Sequence, residues 1–384
     1  MDTPAEIAAA IEEIQKRLEE SGGTVLELPR MELSYIPCPL PPTLKELRCC
    51  MTKIKTLPPL PPTLKYLNCN HTNITTLPPL PPTLEKLCCY NIPIKKLPPL
   101  PPTLKYLECL GTKITKLPPL PSTLEELDCH NTKITALPPL PPTLKYLFCN
   151  STQITTLPPL PPTLEELKCY WTKITTLPPL PPTLRILNCS SRHIATLPPL
   201  PPTLEELDCC FTQLTTLPPL PPTLKKLSCG YTKITALPPL PPTLKYLFCG
   251  YTQIAPLPSP LPPTLEVLMC DGTQIMTLPP LPPTLRILDC SNTHITNLPP
   301  LPHRLEAMRC YNTPLITLPP LPLTSRSILI NSKHLLIQLP AEHTFMTYLN
   351  SDDIQIYNNK WFELYTRLGR MLRAELAARQ LEKN

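Results

Sequence analysis

A stretch of twenty residues recurs almost without interruption from Thr43 onward, and that period constrains the fold more than any single residue does. Its cleanest copy is Thr143 to Pro162, TLKYLFCNSTQITTLPPLPP. With Thr143 as position 1, the fixed letters are Thr at 1, Leu at 2 and 5, Cys at 7, Thr at 10, Ile at 12, and Leu-Pro-Pro-Leu-Pro-Pro from 15 to 20. Fourteen good copies begin at Thr43, Thr63, Thr83, Thr103, Thr123, Thr143, Thr163, Thr183, Thr203, Thr223, Thr243, Thr264, Thr284 and Arg304. The apolar letters at 2, 5, 7, 12, 15 and 18 are expected to share one inward column. Burying each contributes about 1.5–3 kcal/mol before entropy, and one unit cannot shield its column without neighbours above and below.

Leu-x-x-Leu-x-Cys-x-x-Thr-x-Ile resembles the leucine-rich-repeat signature, with Cys for the third Leu and Thr for the Asn. The resemblance covers most of the chain. It implies an α/β-type leucine-rich-repeat solenoid with a parallel β-sheet on the concave face, about sixteen rungs counting imperfect ones. Four prolines per unit leave no room for an outer helix, so the convex wall is expected to be extended and polyproline II-like. Helical caps are expected at both ends.

Position 3 reports the stacking register. It runs Lys45, Lys65, Glu85, Lys105, Glu125, Lys145, Glu165, Arg185, Glu205, Lys225, Lys245, Glu266, Arg286, Glu306, changing sign at eleven of thirteen steps. Parallel in-register stacking brings equivalent residues to about 4.8 Å spacing, where alternating charges attract.

Proline alone, at 63 of 384 residues, would suggest disorder, but the strict period and the abundant Leu and Ile argue for one elongated domain. The net charge of +6 is mild and forms no basic tract, so nothing points to nucleic acid or membrane. Fourteen of the 18 cysteines occupy position 7; Cys38, Cys50, Cys88 and Cys210 lie off that ladder. Parallel Cβ vectors do not favour bridges between rungs, so buried reduced thiols are expected. Cys50, Cys88 and Cys210 are expected to be the reactive ones. The opening MDTPAEIAAAIEEIQKRLEE has no apolar signal core, which together with the thiols leads to an expected reducing, cytoplasmic compartment.

Residues 1–23 read as a capping helix. Thr3-Pro4-Ala5-Glu6 has capping-box spacing, Ile7, Ile11, Ile14 and Leu18 form one stripe, and Gly22-Gly23 ends it. Residues 24–340 are the solenoid, with a worn first unit at 24–42 and a worn last one after Pro322. Residues 341–384 read as a C-terminal helical cap, with Trp361, Leu364, Tyr365, Leu368, Leu372 and Leu376 at helical spacing. Ile92 and Arg192 replace the Thr of position 10, so those two rungs lose a hydroxyl.

The sequence offers no chemistry. The seven histidines show no metal-ligand spacing, no Cys-x-x-Cys occurs, and there is neither a phosphate loop nor a nucleophile elbow. No metal, cofactor or small-molecule substrate is expected, and the chain reads as a non-enzyme. Leu-Pro-x-Leu-Pro units of this kind resemble those of secreted bacterial effectors and of large DNA viruses infecting amoebae. Some such effectors append a ubiquitin ligase with a Cys-x-Asp nucleophile motif, which is absent here. The resemblance therefore implies the scaffold-only kind, an effector or viral protein binding proteins in a host cytoplasm. A virion or assembly component, or a substrate adaptor in a ubiquitin pathway, stands as the alternative.

Positions 4, 6, 8 and 9 vary from copy to copy and are expected to project from the concave face. Tyr106, Tyr146, Phe148, Tyr170, Trp171, Phe211, Tyr231, Tyr246, Phe248 and Tyr251 stand at these positions and form the candidate partner-binding set. Exposed aromatics among charges supply anchors when desolvated. The competing reading is that duplication copied them and they merely pack on one another across rungs. The leucine-proline wall resembles a polyproline II ligand, but it is expected to bury its leucines and so to be no recognition surface.

Overall fold

Within each copy, Leu at 5 flanked by polar or aromatic letters at 4 and 6 has the alternation of a half-buried strand, and positions 4–6 are the strand. The computed structural model describes residues 3–28, 34–320, 322 and the strands at 327–330, 347–350 and 353–356. The chain divides into two compact units, Met1–Gln253 and Ile254–Asn384.

The first unit opens with α1 (Pro4–Glu20). Its Thr3 hydroxyl accepts from Glu6 N at 3.3 Å, while the Glu6 carboxylate accepts from Thr3 N at 2.7 Å, the reciprocal capping box the sequence predicts. Ala10 and Ile14 are buried, and the helix packs on β1 (Val25–Glu27). Then come β2 (Glu46–Arg48), β3 (Tyr66–Asn68), β4 (Lys86–Cys88), β5 (Tyr106–Glu108), β6 (Glu126–Asp128) and β7 (Tyr146–Phe148). They are followed by β8 (Glu166–Lys168), β9 (Ile186–Asn188), β10 (Glu206–Asp208), β11 (Lys226–Ser228) and β12 (Tyr246–Phe248). Each strand pairs parallel with the next, residue against equivalent residue, as in Glu126↔Tyr146, Leu127↔Leu147 and Asp128↔Phe148.

The column is made by Leu144, Leu147, Cys149 and Ile154, each wholly buried, and by their equivalents in the other copies. Leu157 and Leu160 of the wall are only half-buried, which corrects the expectation that positions 15 and 18 point into the core in every copy; Leu257, Leu261 and Leu278 do so. A backbone with three residues per turn can present one of its three faces squarely inward. Here Pro161, at position 19, is the buried wall residue, while Pro159 and Pro162 are exposed.

Two threonine ladders tie the rungs. The position-10 hydroxyl closes its own turn, as where Thr152 donates to Cys149 O at 2.7 Å. The position-1 hydroxyl staples neighbours: Thr163 shares its proton between Pro142 O at 2.7 Å and Leu144 O at 2.9 Å of the preceding rung. Each such bond contributes about 1 kcal/mol net. At rung 8, where Arg192 stands in place of the threonine, Ser191 donates to Thr172 O instead, at 2.9 Å. At rung 3, Ile92 fills the place with a buried side chain.

The alternation at position 3 produces the expected ion pairs. Lys65 meets Glu85 at 2.9 Å, Lys145 meets Glu125 at 2.9 Å, and Glu205 receives both Arg185 and Lys225. They are solvent-exposed and fix register more than they stabilise.

The second unit carries β13 (Val267–Met269), β14 (Ile287–Asp289), β15 (Ala307–Arg309) and β16 (Ser327–Ile330), again parallel and in register. Arg286 meets Glu306 at 2.7 Å on its position-3 row. Its final elements differ from an all-helical cap: β17 (Thr347–Asn350) and β18 (Asp353–Ile356) are antiparallel to each other, and β18 also pairs antiparallel with β16. Both segments, Thr-Tyr-Leu-Asn and Asp-Ile-Gln-Ile, alternate polar with apolar letters. Pairing them here gives the open edge of β16 a partner, and an unpaired edge would otherwise template association. The helix expected beyond residue 358 and residues 331–340 of the worn last unit lie outside the described residues, as do residues 29–33 of the worn first unit.

Candidate protein-binding face

Along β2 to β12 the side chains at positions 4 and 6 emerge from the sheet while position 5 points into the column. Tyr106, Tyr146, Phe148, Tyr246 and Phe248 therefore stand on the open sheet face. The other five predicted residues form a second row in the turn that follows each strand: Tyr170 at position 8, and Trp171, Phe211, Tyr231 and Tyr251 at position 9.

The backbone at position 9 is unusual. It is left-handed in thirteen of the fourteen copies, at eleven non-glycine residues and at Gly111 and Gly272. The exception is Ser191, beside the replaced threonine at Arg192. Gly and Asn suit this conformation, and at Gly111 a Cβ would in addition push aside the Asn91 side chain, whose Oδ1 would stand 2.0 Å away. Large aromatics suit it poorly, yet Trp171, Phe211, Tyr231 and Tyr251 hold φ of +53°, +60°, +56° and +55°. Each forgoes about 1–2 kcal/mol relative to glycine in this conformation.

The rings at position 9 contact one another. Phe211 and Tyr231 stack at 4.6 Å and 15°, and Tyr231 and Tyr251 at 4.5 Å and 11°. Tyr170 and Trp171 meet edge to face at 5.4 Å. Trp171 is 45% and Tyr251 43% exposed, so the stacking leaves rings presented to solvent. Phe148 and Tyr146 lie directly across from Lys168 and Glu166 of β8, and the Lys168 ammonium stands 4.8 Å from the Phe148 ring centre. Rungs 6 and 7 thus bring Tyr146, Phe148, Tyr170 and Trp171 together, while Tyr246 and Phe248 stand apart at the end of this unit.

Sequence reasoning missed the charge on this face. Glu108, Glu126, Asp128 and Glu166 cluster on β5, β6 and β8 among the tyrosines. Lys86 pairs with Glu108 at 3.3 Å, Lys168 with Glu166 at 2.7 Å, and the Asp128 carboxylate with His130 Nδ1 at 2.6 Å. Burial raises the Glu126 carboxyl above its ordinary range, with repulsion from Glu108 second. The signal available in the sequence was the acids at positions 4 and 6 in three of four neighbouring copies, those starting at Thr103, Thr123 and Thr163.

The thiols at position 7 are all fully buried, and desolvation pushes up those such as Cys49, to about 12, and Cys149 and Cys169. Cys88 corrects an expectation: it is 2% exposed, covered by Tyr66, Lys86 and Glu108, and is pushed to about 12 chiefly by burial. Cys38, Cys50 and Cys210 are part-exposed, but burial of its thiol pushes Cys210 well up, which corrects the expectation that it is among the reactive ones. In the second unit, Asp271 and the buried Asp289 form a carboxylate pair that no motif announced, with Arg309 3.9 Å from Asp289. Among the described residues there is no His, Cys, Asp and Glu group fit to hold a metal ion, and no helix long and apolar enough to cross a membrane.

A stack of short parallel strands, a continuous Leu/Cys/Ile column and an extended outer wall define a solenoid of the leucine-rich-repeat class. No family model and no curated protein matches the sequence. Solved structures do. The leucine-rich effector protein YopM of Yersinia pestis superposes with a TM-score of 0.79 at 32% identity, covering 86% of this chain and 96% of that one. YopM of Yersinia enterocolitica WA-314 gives 0.60 at 32% identity, covering 83% and 84%. The functional domain of InlJ from Listeria monocytogenes, which includes a cysteine ladder, gives 0.69 at 25% identity, covering 88% and 85%. The chain belongs to the leucine-rich-repeat family and is similar to bacterial effectors within it.

Proposed function

We propose that this chain is a protein-interaction scaffold without catalytic activity of its own, which holds a protein partner on its sheet face and acts, effector-like, in the reducing cytoplasm of a host cell. The observation that carries the reading is the placement of exposed aromatics in left-handed turns. Glycine or asparagine would serve the fold better at Trp171, Phe211, Tyr231 and Tyr251, and local strain kept at large side chains that reach solvent, Trp171 and Tyr251 as exposed residues and Phe211 and Tyr231 in part, is a mark of function. Repeat duplication alone does not account for it, because the position-9 letters differ from copy to copy.

Tyr146, Phe148, Tyr170 and Trp171, on two successive rungs, form a patch small enough for one element of a partner. The effector character of the similar Yersinia proteins and the reduced thiol ladder both favour an intracellular site of action. The test is affinity capture from cytosol followed by mass spectrometry. Phe148→Ala combined with Trp171→Ala should abolish capture of the main partner, since removing such anchors costs about 2 kcal/mol or more, roughly thirtyfold, and melting should change little. A control pair on the wall, Pro159→Ala with Pro179→Ala, should leave capture intact. If the control pair destroys capture and the aromatic pair does not, the wall is the docking surface.

A further inference from the structure

We infer that the sheet face over β5 to β7 receives a basic segment of the partner, with an arginine or lysine side chain seated between Tyr106 and Tyr146 on the carboxylate of Glu126. The inference rests on the sheet-face reading above and adds the chemistry of what binds there.

Charge is segregated in this chain. It carries a net +6, yet positions 4 and 6 of β2 to β12 hold seven acidic against four basic side chains, a net of −3 on the open face. The bases gather elsewhere, as in the exposed row at position 11 with Lys53, Lys113, Lys133 and Lys173.

Position 4 repeats one arrangement with its sign changed. In the register Tyr66↔Lys86↔Tyr106, the Lys86 ammonium stands 5.9 Å from the Tyr66 ring centre, 5.5 Å from the Tyr106 ring centre and 3.3 Å from Glu108. The chain thus seats its own cation between two tyrosines on a carboxylate. One step along, in Tyr106↔Glu126↔Tyr146, the central residue is the carboxylate itself. Among the described residues no lysine or arginine lies within ion-pair distance of Glu126, whose acidic neighbours Glu108, Asp128 and Glu166 are already partnered by Lys86, His130 and Lys168. Two aromatic rings flanking a carboxylate recognise a cation by ring and charge together, and a guanidinium, which stacks on rings, suits it best. Desolvation first and repulsion from Glu108 second outweigh the attraction of Lys86 at Glu126, so an incoming cation would supply charge that Lys86, committed to Glu108, does not. Phosphate-bearing partners, whether nucleic acid or an anionic membrane, meet repulsion on the same face.

The probe is a fluorescent octapeptide of alternating arginine and glycine, read by anisotropy at physiological ionic strength, with the glutamine-glycine peptide as the uncharged arm. The arginine peptide should bind and the glutamine peptide should not. Glu126→Gln should weaken binding about tenfold, the loss expected for a charge-assisted hydrogen bond. Glu126→Lys, which places a resident cation in the seat as Lys86 does one rung earlier, should abolish it. Glu205→Gln, at position 3 between Arg185 and Lys225, should leave it unchanged. Equal weakening by Glu126→Gln and Glu205→Gln would overturn the inference, as would binding of neither peptide or of both alike. If that happens while Phe148→Ala with Trp171→Ala still abolishes capture, the sheet-face reading survives without the basic ligand. If the aromatic pair also fails, that reading falls with it.

Discussion

Replacing Trp171 by glycine and, separately, by alanine isolates the strain held at position 9. Both substitutions remove the same ring, together with its edge-to-face contact to Tyr170. They differ in the backbone, which holds φ at +53°. Alanine keeps the left-handed penalty of about 1–2 kcal/mol, and glycine is released from it. Against this, glycine adds about 0.5–1 kcal/mol of unfolded-chain entropy. Trp171→Gly should therefore be more stable than Trp171→Ala by about 1 kcal/mol or slightly less. At an exposed wall position such as Thr155, outside the left-handed set, the order should reverse, with glycine the worse by about 0.5–1 kcal/mol. Urea unfolding with matched slopes gives the difference directly from the midpoints. An alanine variant at residue 171 as stable as the glycine variant, or more so, would refute the claim that the aromatic row is held against the preference of its backbone.

Two further outcomes follow from burial and charge. Alkylation of the native protein should modify Cys50 and Cys38 first and spare Cys149, Cys169 and Cys88, whereas uniform labelling or a disulfide ladder without reductant would contradict the packing described. In the second unit, burial first and Asp289 second push the Asp271 carboxyl up to about 7, so the folded state keeps a proton that the unfolded chain, near 3.9, has lost. Stability of this unit should fall as pH rises from about 4 to 7, by up to roughly 1.4 kcal/mol per pH unit, and Asp271→Asn should flatten that dependence of the melting temperature. A stability that rises over this window, or a slope unchanged in the variant, would remove the carboxylate pair as its cause.

Much of the fold was legible because a period carries its own register. Leu at 2 and 5, Cys at 7 and Ile at 12 are core letters in nearly every copy, and the alternating signs at position 3 mark which residues become neighbours. The wall is not legible in the same way, because Leu157 and Leu160 are apolar yet only half-buried, and composition cannot say which face of an extended three-fold backbone turns inward. Position 1 is a threonine in nearly every copy, which core packing does not require; its reason, the staple to the preceding rung, is visible only once Pro142 O and Leu144 O are in place. The aromatic set was legible as letters but not as two rows. Its turn row could have been found from Asn91, Gly111, Asn131, Gly272, Asn292 and Asn312, residues that favour left-handed backbone and all fall at position 9. Cys88 escaped because its cover comes from Tyr66 and Glu108, twenty residues away on either side.

The central claim is that the partner lies on the sheet face around rungs 6 and 7. A photo-reactive phenylalanine analogue placed at Tyr146 and, in a separate preparation, at Pro159 of the wall tests it with the partner in place. Irradiation in cytosol should give a single strong adduct from the residue 146 protein and none from the residue 159 protein. The same adduct from residue 159, with none from residue 146, would contradict the account.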